Sequence, residues 1–530
     1  MRLRALFTAL FAAGLTFAVG AQDTRLPDLG SSADALLSPA EAKAYGAAML
    51  HQMRALHMVM DDPQIDEYIN SVGFRLAAAS DDPKHHFTFF VDSDQDINAF
   101  AAPGGYIGVN AGLIVIARDE SELAAVMAHE IGHITQHHLE RAFEASKKDA
   151  PLMALVALGA IAAGAAGGHG DAGAAVMMGG QGLIAQRQIN FTRKDETEAD
   201  RVGIHTLARA GYHPEAMADF FQRMESVLSA NGSDTDVPEL LQTHPVTEHR
   251  IADAKAQAHV IEQQEKRDRL SLSQSDWSHT TAPIPFVKNS NDLIGPPDDA
   301  SHGPTLFHLM RERVRVLSGD ATQLTGYYAR NLAGSHGFDT PSNHYGYALA
   351  LMGAGRFQAA RQQLAPLAKA WPDSVPIQLA MGTVLAHQHQ MDQADVIFAR
   401  LHANAPNDHA IAAEYAEALL LQPGKASARK AANLLKPLLD DSEDPSLYQT
   451  YGRATDRAGQ PVESGIAFAD AAYLTGRPVD AMEQLRRLLD RPHLGYYDRA
   501  KVQARIDDLT PLVLREEKER REHGADDGTD

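Results

Sequence analysis

Two histidines and a glutamate are spaced in this chain so that they could bind a metal ion and use it for hydrolysis. In the run His129-Glu130-Ile131-Gly132-His133 the histidines are four positions apart, so in a helix their imidazoles project from one face. Two neutral imidazoles at this spacing can bind zinc, and Glu130 can act as general base on the attacking water. Because the chain contains 25 histidines, the motif alone is a moderate signal, and its surroundings decide its meaning.

A hydrolytic zinc site also needs a third protein ligand and a position for water. Glu196 and Asp200 are four residues apart in a segment that predicts a helix ending near Gly211, so they share a helical face. Glu196 is the predicted third ligand. Asp200 is predicted to bind the outer nitrogen of a ligating histidine and so fix its tautomer. Glu198 is predicted to be solvated. Without the histidine pair, the whole group would indicate only an acidic helix start.

The helix that carries the histidines is predicted to be buried. Asp119 and Glu122 form a candidate capping box at its start. Apolar residues recur along it at helical spacing: Leu123, Val126, Met127, Ile131 and Ile134. Buried imidazoles need polar partners, and a shared zinc supplies them. His137 and His138 are predicted to support the ligands or to lie on the surface, because one tetrahedral ion needs few protein ligands.

Two strands are predicted upstream of this helix. Residues 87–91 are aromatic and β-branched, and Tyr106 to Asn110 form a second run of the same kind. The stretch between them, from Asn98 to the Gly104-Gly105 pair, predicts a turn-rich link. These signals predict a small antiparallel sheet.

Four segments together resemble the gluzincin metallopeptidase family that includes HtpX and the CAAX prenyl endopeptidase. They are Asn98-Ala99-Phe100 with Pro103-Gly104-Gly105, His129 to His133, Glu196 to Asp200, and Thr243-His244-Pro245 with Arg250. The resemblance covers roughly residues 40 to 260. It implies one Zn²⁺ per chain, ligands His129, His133 and Glu196, Glu130 as base, and Asp200 as the support of a ligand.

The resemblance implies two further roles near the metal. His244 would reach the zinc, occupy its open position and keep the enzyme latent, although its position before Pro245 alone favours a cap or turn residue. Arg250 would lie near the substrate carbonyl oxygen and stabilise the developing oxyanion. The alternative for Arg250 is a surface salt bridge.

In this family the strand before the metal helix is thought to pair with an extended substrate, which is the edge-addition mode of peptide recognition. Here that implies a substrate-binding edge at Asn98, Tyr106, Ile107, Gly108 and Val109.

Composition and the N-terminal segment indicate an exported, acidic protein. Arg2 and Arg4, the apolar run from Ala5 to Val19 and the small residues up to Ala21 predict a signal peptide over 1–21. The alternative, a membrane anchor, is disfavoured because the run is short for a span. The formal charge of −21 argues against nucleic acid and anionic membrane surfaces as partners. With no cysteine, disulfides cannot contribute to stability.

Residues 152–186 are dominated by Ala, Gly and Met. They predict either a packed helical hairpin or a mobile flap over the cleft. A surface that makes peripheral contact with membrane or with unfolded client is a further alternative, and the sequence does not separate them.

The second half of the chain is repetitive. Small, apolar and proline residues recur at corresponding positions of two successive repeats. The first repeat has Gly355, Phe357, Ala360, Leu364 and Pro372, and the next has Ala394, Phe398, Leu401 and Pro406. The two prolines are 34 residues apart, which is the tetratricopeptide period. Such arrays present a concave surface to peptides or proteins. A third repeat is lengthened by residues 422–424, and a fourth follows.

These observations predict an α+β chain: a mainly helical zincin-like metallopeptidase domain with a small antiparallel sheet, then an all-α tetratricopeptide solenoid. The predicted boundaries are 1–21 signal peptide, 22–270 peptidase, 271–303 linker, 304–514 repeats and 515–530 charged tail.

The combination resembles the family's periplasmic branch, which acts in assembly of outer-membrane β-barrels. The resemblance implies a zinc endopeptidase of the periplasm that degrades misassembled outer-membrane proteins and assists their assembly. Its repeats would bind clients or the β-barrel assembly machinery. The alternative is a chaperone or adaptor that acts mainly through its repeats.

Overall fold

The structure, a computed structural model, describes residues 38–142, 193–231, 239–274 and 304–524, except 335, 441 and 493. The predicted signal peptide, the Ala/Gly-rich segment 152–186 and most of the predicted linker lie outside the described residues. The described chain is mainly helical with one small sheet. The predicted α+β class is therefore confirmed.

Two helices open the described chain, α1 (Pro39–Ala55) and α2 (Pro63–Ala79). Both begin where the local sequence favours a helix start. Ser38 and Glu41 form a capping box on α1, and the Asp62 carboxylate accepts a hydrogen bond from the Ile65 amide on α2. One face of α2 is buried against the sheet and the helix that carries His129 and His133.

The sheet has three strands in the order β1 (Thr88–Asp92), β3 (Tyr106–Asn110), β2 (Ala99–Ala102). β2 pairs antiparallel with β3, but β1 pairs parallel with it. The prediction of an antiparallel sheet is therefore wrong for one of the two pairings. The physical reason is that the predicted link between the strands itself contains β2. A tight turn with φ of +80° at Gly104 and +85° at Gly105 folds β2 onto β3, and β1 takes the opposite side.

The centre of the peptidase part is a close crossing of two helices, α4 (Glu120–Thr135) and α5 (Arg193–Arg209). The short helix α3 (Ala111–Ile116) precedes them, and every residue of α4 from Ser121 to Ile134 is buried. Glycines face the partner helix at the crossing. A Cβ on Gly132 would lie 3.1 Å from the Ala199 carbonyl oxygen, and one on Gly203 would lie 3.2 Å from the His129 nitrogen. The absence of these side chains lets α5 bring its carboxylates within reach of α4.

The described residues of this part contain three more helices, α6 (Ala216–Asn231), α7 (Glu239–Thr243) and α8 (Glu248–Gln274). α8 packs against α5 and α6 and extends past residue 270, where the peptidase domain was predicted to end. The predicted linker therefore begins inside a helix.

The repeat part is built from consecutive packed helices. They are α9 (Leu306–Leu317), α10 (Ala321–Gly334), α11 (Pro341–Gly353), α12 (Phe357–Ala370), α13 (Val375–His387), α14 (Met391–Asn404), α15 (His409–Leu420), α16 (Lys425–Leu435), α17 (Pro445–Ala458), α18 (Pro461–Leu474), α19 (Pro478–Leu489) and α20 (Tyr496–Gly524). Five of the positions that defined the first two repeats are buried, namely Ala360, Leu364, Ala394, Phe398 and Leu401. α20 continues through much of the predicted tail to Gly524. None of the helices in the described part of the chain is both long and apolar enough to span a membrane.

The repeats pack directly on the peptidase part. α9 contacts α2 and α3, and α15 contacts α2. At this joint the partly buried Arg313 guanidinium binds both oxygens of Asp62, at 2.8 and 2.7 Å, and lies 3.3 Å from Glu414. Nearby, a Glu67 oxygen on α2 accepts a 2.7 Å hydrogen bond from the His409 amide at the start of α15. The two parts therefore share one hydrophobic core and a partly buried set of charges.

Candidate metal centre

Four buried side chains converge where α4 and α5 cross. They are His129 and His133 of α4, Glu196 of α5, and His244, which follows α7. Each offers one ligand atom, and these atoms all lie within 4.8 Å of one another. The helical spacing of the motif explains why the two α4 imidazoles share a face, while the close crossing at Gly132 brings Glu196 beside them.

The distances within this cluster suit a tetrahedral ion. Nε2 of His129 lies 3.0 Å from Nε2 of His133 and 3.4 Å from Nδ1 of His244. Oε1 of Glu196 lies 2.9 Å from Nδ1 of His244 and 3.6 Å from Nε2 of His133. Zinc binds imidazole nitrogen at about 2.0–2.1 Å, so tetrahedral ligand atoms are separated by about 3.3 Å. The four atoms have the spacing and the nitrogen and oxygen chemistry of a zinc site.

The charge of the site also favours a cation. Among the residues that the structure describes at this site, three buried carboxylates, Glu130, Glu196 and Asp200, face one buried guanidinium, that of Arg250. Burial lowers the pKa of His129, but the hydrogen bonds and charges of Asp200 and Glu196 outweigh it and raise that pKa to about 10. Burial raises the pKa of Glu196, but the neighbouring imidazoles hold it well below its usual range. The excess of negative charge stabilises positive charge between these groups, which a divalent ion supplies.

Asp200 lies where the sequence predicts it. Its Oδ1 is 2.9 Å from Nδ1 of His129, so it holds the outer nitrogen of one candidate ligand. With the proton on Nδ1, the lone pair of Nε2 faces the cluster. This is the carboxylate–histidine arrangement that orients ligands in metal sites.

Glu130 is buried beside the cluster and is 1% exposed. Its carboxylate accepts a hydrogen bond from the Ala101 amide of β2, and its Oε1 lies 3.8 Å from Nε2 of His244. Burial raises the pKa of Glu130, while the imidazoles of His244 and His129 act in the opposite direction. A carboxylate with a raised pKa is suited to accept a proton from an attacking water.

Arg250 lies beside the candidate ligands, and its guanidinium is held by carboxylates. Nε and Nη2 each donate to Asp200 at 2.7 Å. Nη1 lies 2.8 Å from Oε2 of Glu196 and 3.0 Å from the Pro245 carbonyl oxygen. The guanidinium also stacks over the Phe221 ring at 4.8 Å. The ion pair is buried, so the alternative of a surface salt bridge is wrong. The oxyanion role stays a prediction.

The predicted substrate-binding edge is wrong in its strand. Tyr106, Ile107, Gly108 and Val109 lie in β3, which is the central strand and is paired on both sides. Its amides therefore offer no free edge to a substrate. Asn98 immediately precedes β2, the outer strand that packs against α4. In the described sheet, β2 is the strand next to Glu130.

Of the two alternatives predicted for His137 and His138, His138 lies buried behind a candidate ligand and His137 lies nearer the surface, but the sequence did not predict the turn that places His138 there. α4 ends at Thr135, and His137 adopts a φ of +55°, so the chain turns and places His138 against His133. Glu198, predicted to be solvated, is partly exposed and contacts His138 and Arg141. A positive φ at a residue other than glycine is a rare conformation that a sequence pattern does not indicate.

Both parts of this chain are similar in sequence to known proteins. The profile of peptidase family M48 matches residues 63–258, and a tetratricopeptide repeat profile matches residues 351–420. The chain is 30% identical over 495 residues to the "Beta-barrel assembly-enhancing protease" of Escherichia coli strain K12, covering 92% of each chain. It is 30% identical over 492 residues to the protein of that name in Yersinia pestis, covering 93% of each. It is also 30% identical over 225 residues to "Mitochondrial metalloendopeptidase OMA1" of Schizosaccharomyces pombe, which covers 41% of this chain and 58% of the relative.

Proposed function

The chain belongs to peptidase family M48 and is a metalloendopeptidase, and we propose that it is a zinc-dependent protease of the periplasm that acts on outer-membrane β-barrel proteins during their assembly. We propose further that His244 holds it latent. The observation that carries this proposal is the buried convergence of His129, His133, Glu196 and His244 beside Glu130.

Zinc bound at this cluster would supply a Lewis acid that polarises the scissile carbonyl of a peptide. The residues of the chain do the rest. Glu130 takes a proton from the attacking water and passes it to the leaving amine. Asp200 keeps His129 in the tautomer whose Nε2 faces the cluster, since it binds the outer nitrogen at 2.9 Å. Arg250 balances Asp200 and Glu196, so it holds the ligand carboxylate in place.

The proposed latency rests on the position of His244. Its Nδ1 lies among the other candidate ligand atoms, and its Nε2 is directed to Glu130. Four protein ligands complete a tetrahedral shell, whereas a catalytic zinc site keeps one position open. Because His244 follows the short helix α7 rather than lying within a long one, it can leave the cluster without unfolding α4 or α5.

The proposed substrates and compartment rest on two observations outside the metal centre. Residues 1–21 have the pattern of a secretory signal, which supports export. The relatives that match more than nine-tenths of the chain are named for β-barrel assembly, and the tetratricopeptide array offers a surface for client proteins or for the assembly machinery.

A second candidate function is a chaperone or adaptor that works through the repeats. The same observation favours it, because a centre closed by His244 would not cleave. The repeats also share a core with the peptidase part, so their surface exists whether or not the centre is open. Protease and chaperone can be two states of one chain.

The test of the protease assignment uses the purified full chain loaded with zinc and its His244→Ala variant. Each is incubated with one outer-membrane β-barrel protein, either unfolded in urea and diluted or folded in detergent. Cleavage of the unfolded form by the variant, loss of cleavage with a chelator and recovery with Zn²⁺ are expected. If neither the unmodified chain nor the His244→Ala variant cleaves the substrate although each binds one zinc, the protease assignment is overturned.

The adaptor function is tested in cells that lack the native gene. If the Glu130→Gln chain restores β-barrel assembly as fully as the unmodified chain, the repeats carry the function. If it restores none, proteolysis carries it. Osmotic-shock fractionation of the same cells tests the proposed compartment.

A further inference from the structure

The second ligand of the proposed centre, His133, has a partner of its own. We infer that His138 is a positioning residue: it accepts a hydrogen bond from Nδ1 of His133 and so directs the lone pair of Nε2 at the metal. The inference rests on the proposed metal centre and adds a residue to it.

The contact is short and buried. Nδ1 of His138 lies 2.7 Å from Nδ1 of His133, and the two residues are 1% and 0% exposed. The turn at His137 produces this contact, because in an uninterrupted helix a residue five positions after His133 would point elsewhere. Two imidazole nitrogens at 2.7 Å share one proton, since two lone pairs would repel and two N–H groups would collide.

The surroundings of His138 decide which nitrogen carries that proton. Two carboxylates face Nε2 of His138: Oε2 of Glu198 at 3.4 Å and Oδ1 of Asp195 at 4.0 Å. They favour a proton on Nε2. Nη2 of Arg141 lies 3.1 Å from each of these oxygens and offsets one of their two negative charges, while the burial of His138 disfavours a second proton on its ring. The neutral His138 then accepts at Nδ1.

The proton on Nδ1 of His133 follows from this arrangement, and with it a lone pair on Nε2. That lone pair faces Nε2 of His129 at 3.0 Å. Asp200 holds the proton on Nδ1 of His129 in the same way. Without a metal the two Nε2 atoms at this distance share one proton, and a bound metal ion would take its place and accept both lone pairs. The outer nitrogens of the two candidate ligands are therefore held by different groups, a carboxylate for His129 and a neutral imidazole for His133.

The test measures zinc affinity of the full chain by chelator competition, for three substitutions of His138. His138→Asn places its amide oxygen near the position of Nδ1 and keeps the acceptor, so we expect affinity within a few-fold of the unmodified chain. His138→Gln moves the oxygen towards the Nε2 position, and His138→Leu has no acceptor. Both are expected to weaken zinc binding by about 10–100-fold, which is the usual effect of losing such a support. His137→Asn, at a half-exposed neighbour, is the matched control and should change nothing.

Visible spectra of the Co²⁺-substituted chains give a second readout. A shift of the Co²⁺ absorption bands in the His138→Gln chain but not in the His138→Asn chain would support reorientation of His133. Equal zinc affinity for Asn and Gln, whether both are retained or both are lost, would overturn the inference even if the Leu variant fails to fold. If the unmodified chain binds no zinc, the proposed metal centre fails instead, so the two failures are distinguishable.

Discussion

Nδ1 of His244 lies 2.9 Å from Oε1 of Glu196. This contact joins the segment after α7 to the start of α5, and it completes a ligand set drawn from three separate parts of the chain. His244 is also the member of the set that lies outside α4 and α5. Removing the His244 side chain is therefore the most direct test of whether this fourth candidate ligand inhibits the enzyme or takes part in catalysis.

We expect His244→Ala to increase cleavage of unfolded casein several-fold, because the variant frees one coordination position while His129, His133 and Glu196 still bind zinc. The measurement is the initial rate of cleavage with zinc content determined on the same sample. His249→Ala is the control, since that side chain is 81% exposed and pairs with Asp253. A loss of cleavage with full zinc content would instead make His244 part of the machinery.

Glu130→Gln is expected to lower cleavage by at least about 100-fold, the usual contribution of a general base. The change keeps the size of the side chain and leaves the candidate ligands in place, so zinc content should stay at one per chain. The variant is best made in the His244→Ala background, where the rate is high enough to measure a loss. Retained cleavage there would remove Glu130 from the mechanism.

Helical spacing was enough to predict that His129 and His133 share one helical face and that Glu196 and Asp200 share another. Spacing alone does not bring the two helices together: Glu196 was predicted from the need of a zinc site for a third ligand, and the structure places its ligand atom beside those of the histidines. Their roles stay predictions. The position of His244 came from resemblance, because a residue before proline carries no spacing signal of its own.

Two features could not be predicted because they depend on tertiary structure. β2 is the sequence Ala-Phe-Ala-Ala, in which alanine is a weak strand former, and it is a strand because it packs between β3 and α4. Because β2 was not recognised in the sequence, the parallel pairing of β1 with β3 could not be predicted, and β3 was taken for an edge strand. The contact between His138 and His133 depends on the positive φ of His137, which local propensity disfavours.

A substitution of Arg250 tests whether this side chain stabilises the fold or stabilises the oxyanion of the reaction. Arg250→Met leaves Asp200 and Glu196 buried without their cation, and breaking such a pair costs about 3–5 kcal/mol. We expect a loss of that size in the free energy of unfolding of the metal-free chain, measured with urea. Arg201→Met, an exposed position on α5, is the control. If stability is unchanged and only kcat falls, Arg250 acts on the transition state rather than on the carboxylates.

Glu67 makes the joint between peptidase and repeats sensitive to pH. Burial, and after it the charge of Asp408, raises the pKa of Glu67 from 4.5 to about 7. Between these values the folded chain binds the proton and the unfolded chain does not. This group's contribution to stability is therefore fully present below about pH 4.5, and it is lost as the pH rises through about 7.

Glu67→Gln removes this dependence, and its amide oxygen can still accept from the His409 amide, as Oε1 of Glu67 does. We expect the variant to melt at a higher temperature than the unmodified chain at pH 8, with the difference shrinking towards pH 5. Thermal unfolding at constant ionic strength measures it. Glu215→Gln, an exposed position, controls for the loss of one negative charge. A difference in melting temperature that is constant from pH 5 to pH 8 would show that the Glu67 carboxyl does not titrate in this range. A variant that melts at a lower temperature than the unmodified chain at pH 8 would show that the hydrogen bond from the carboxylate to the start of α15 outweighs the cost of its burial.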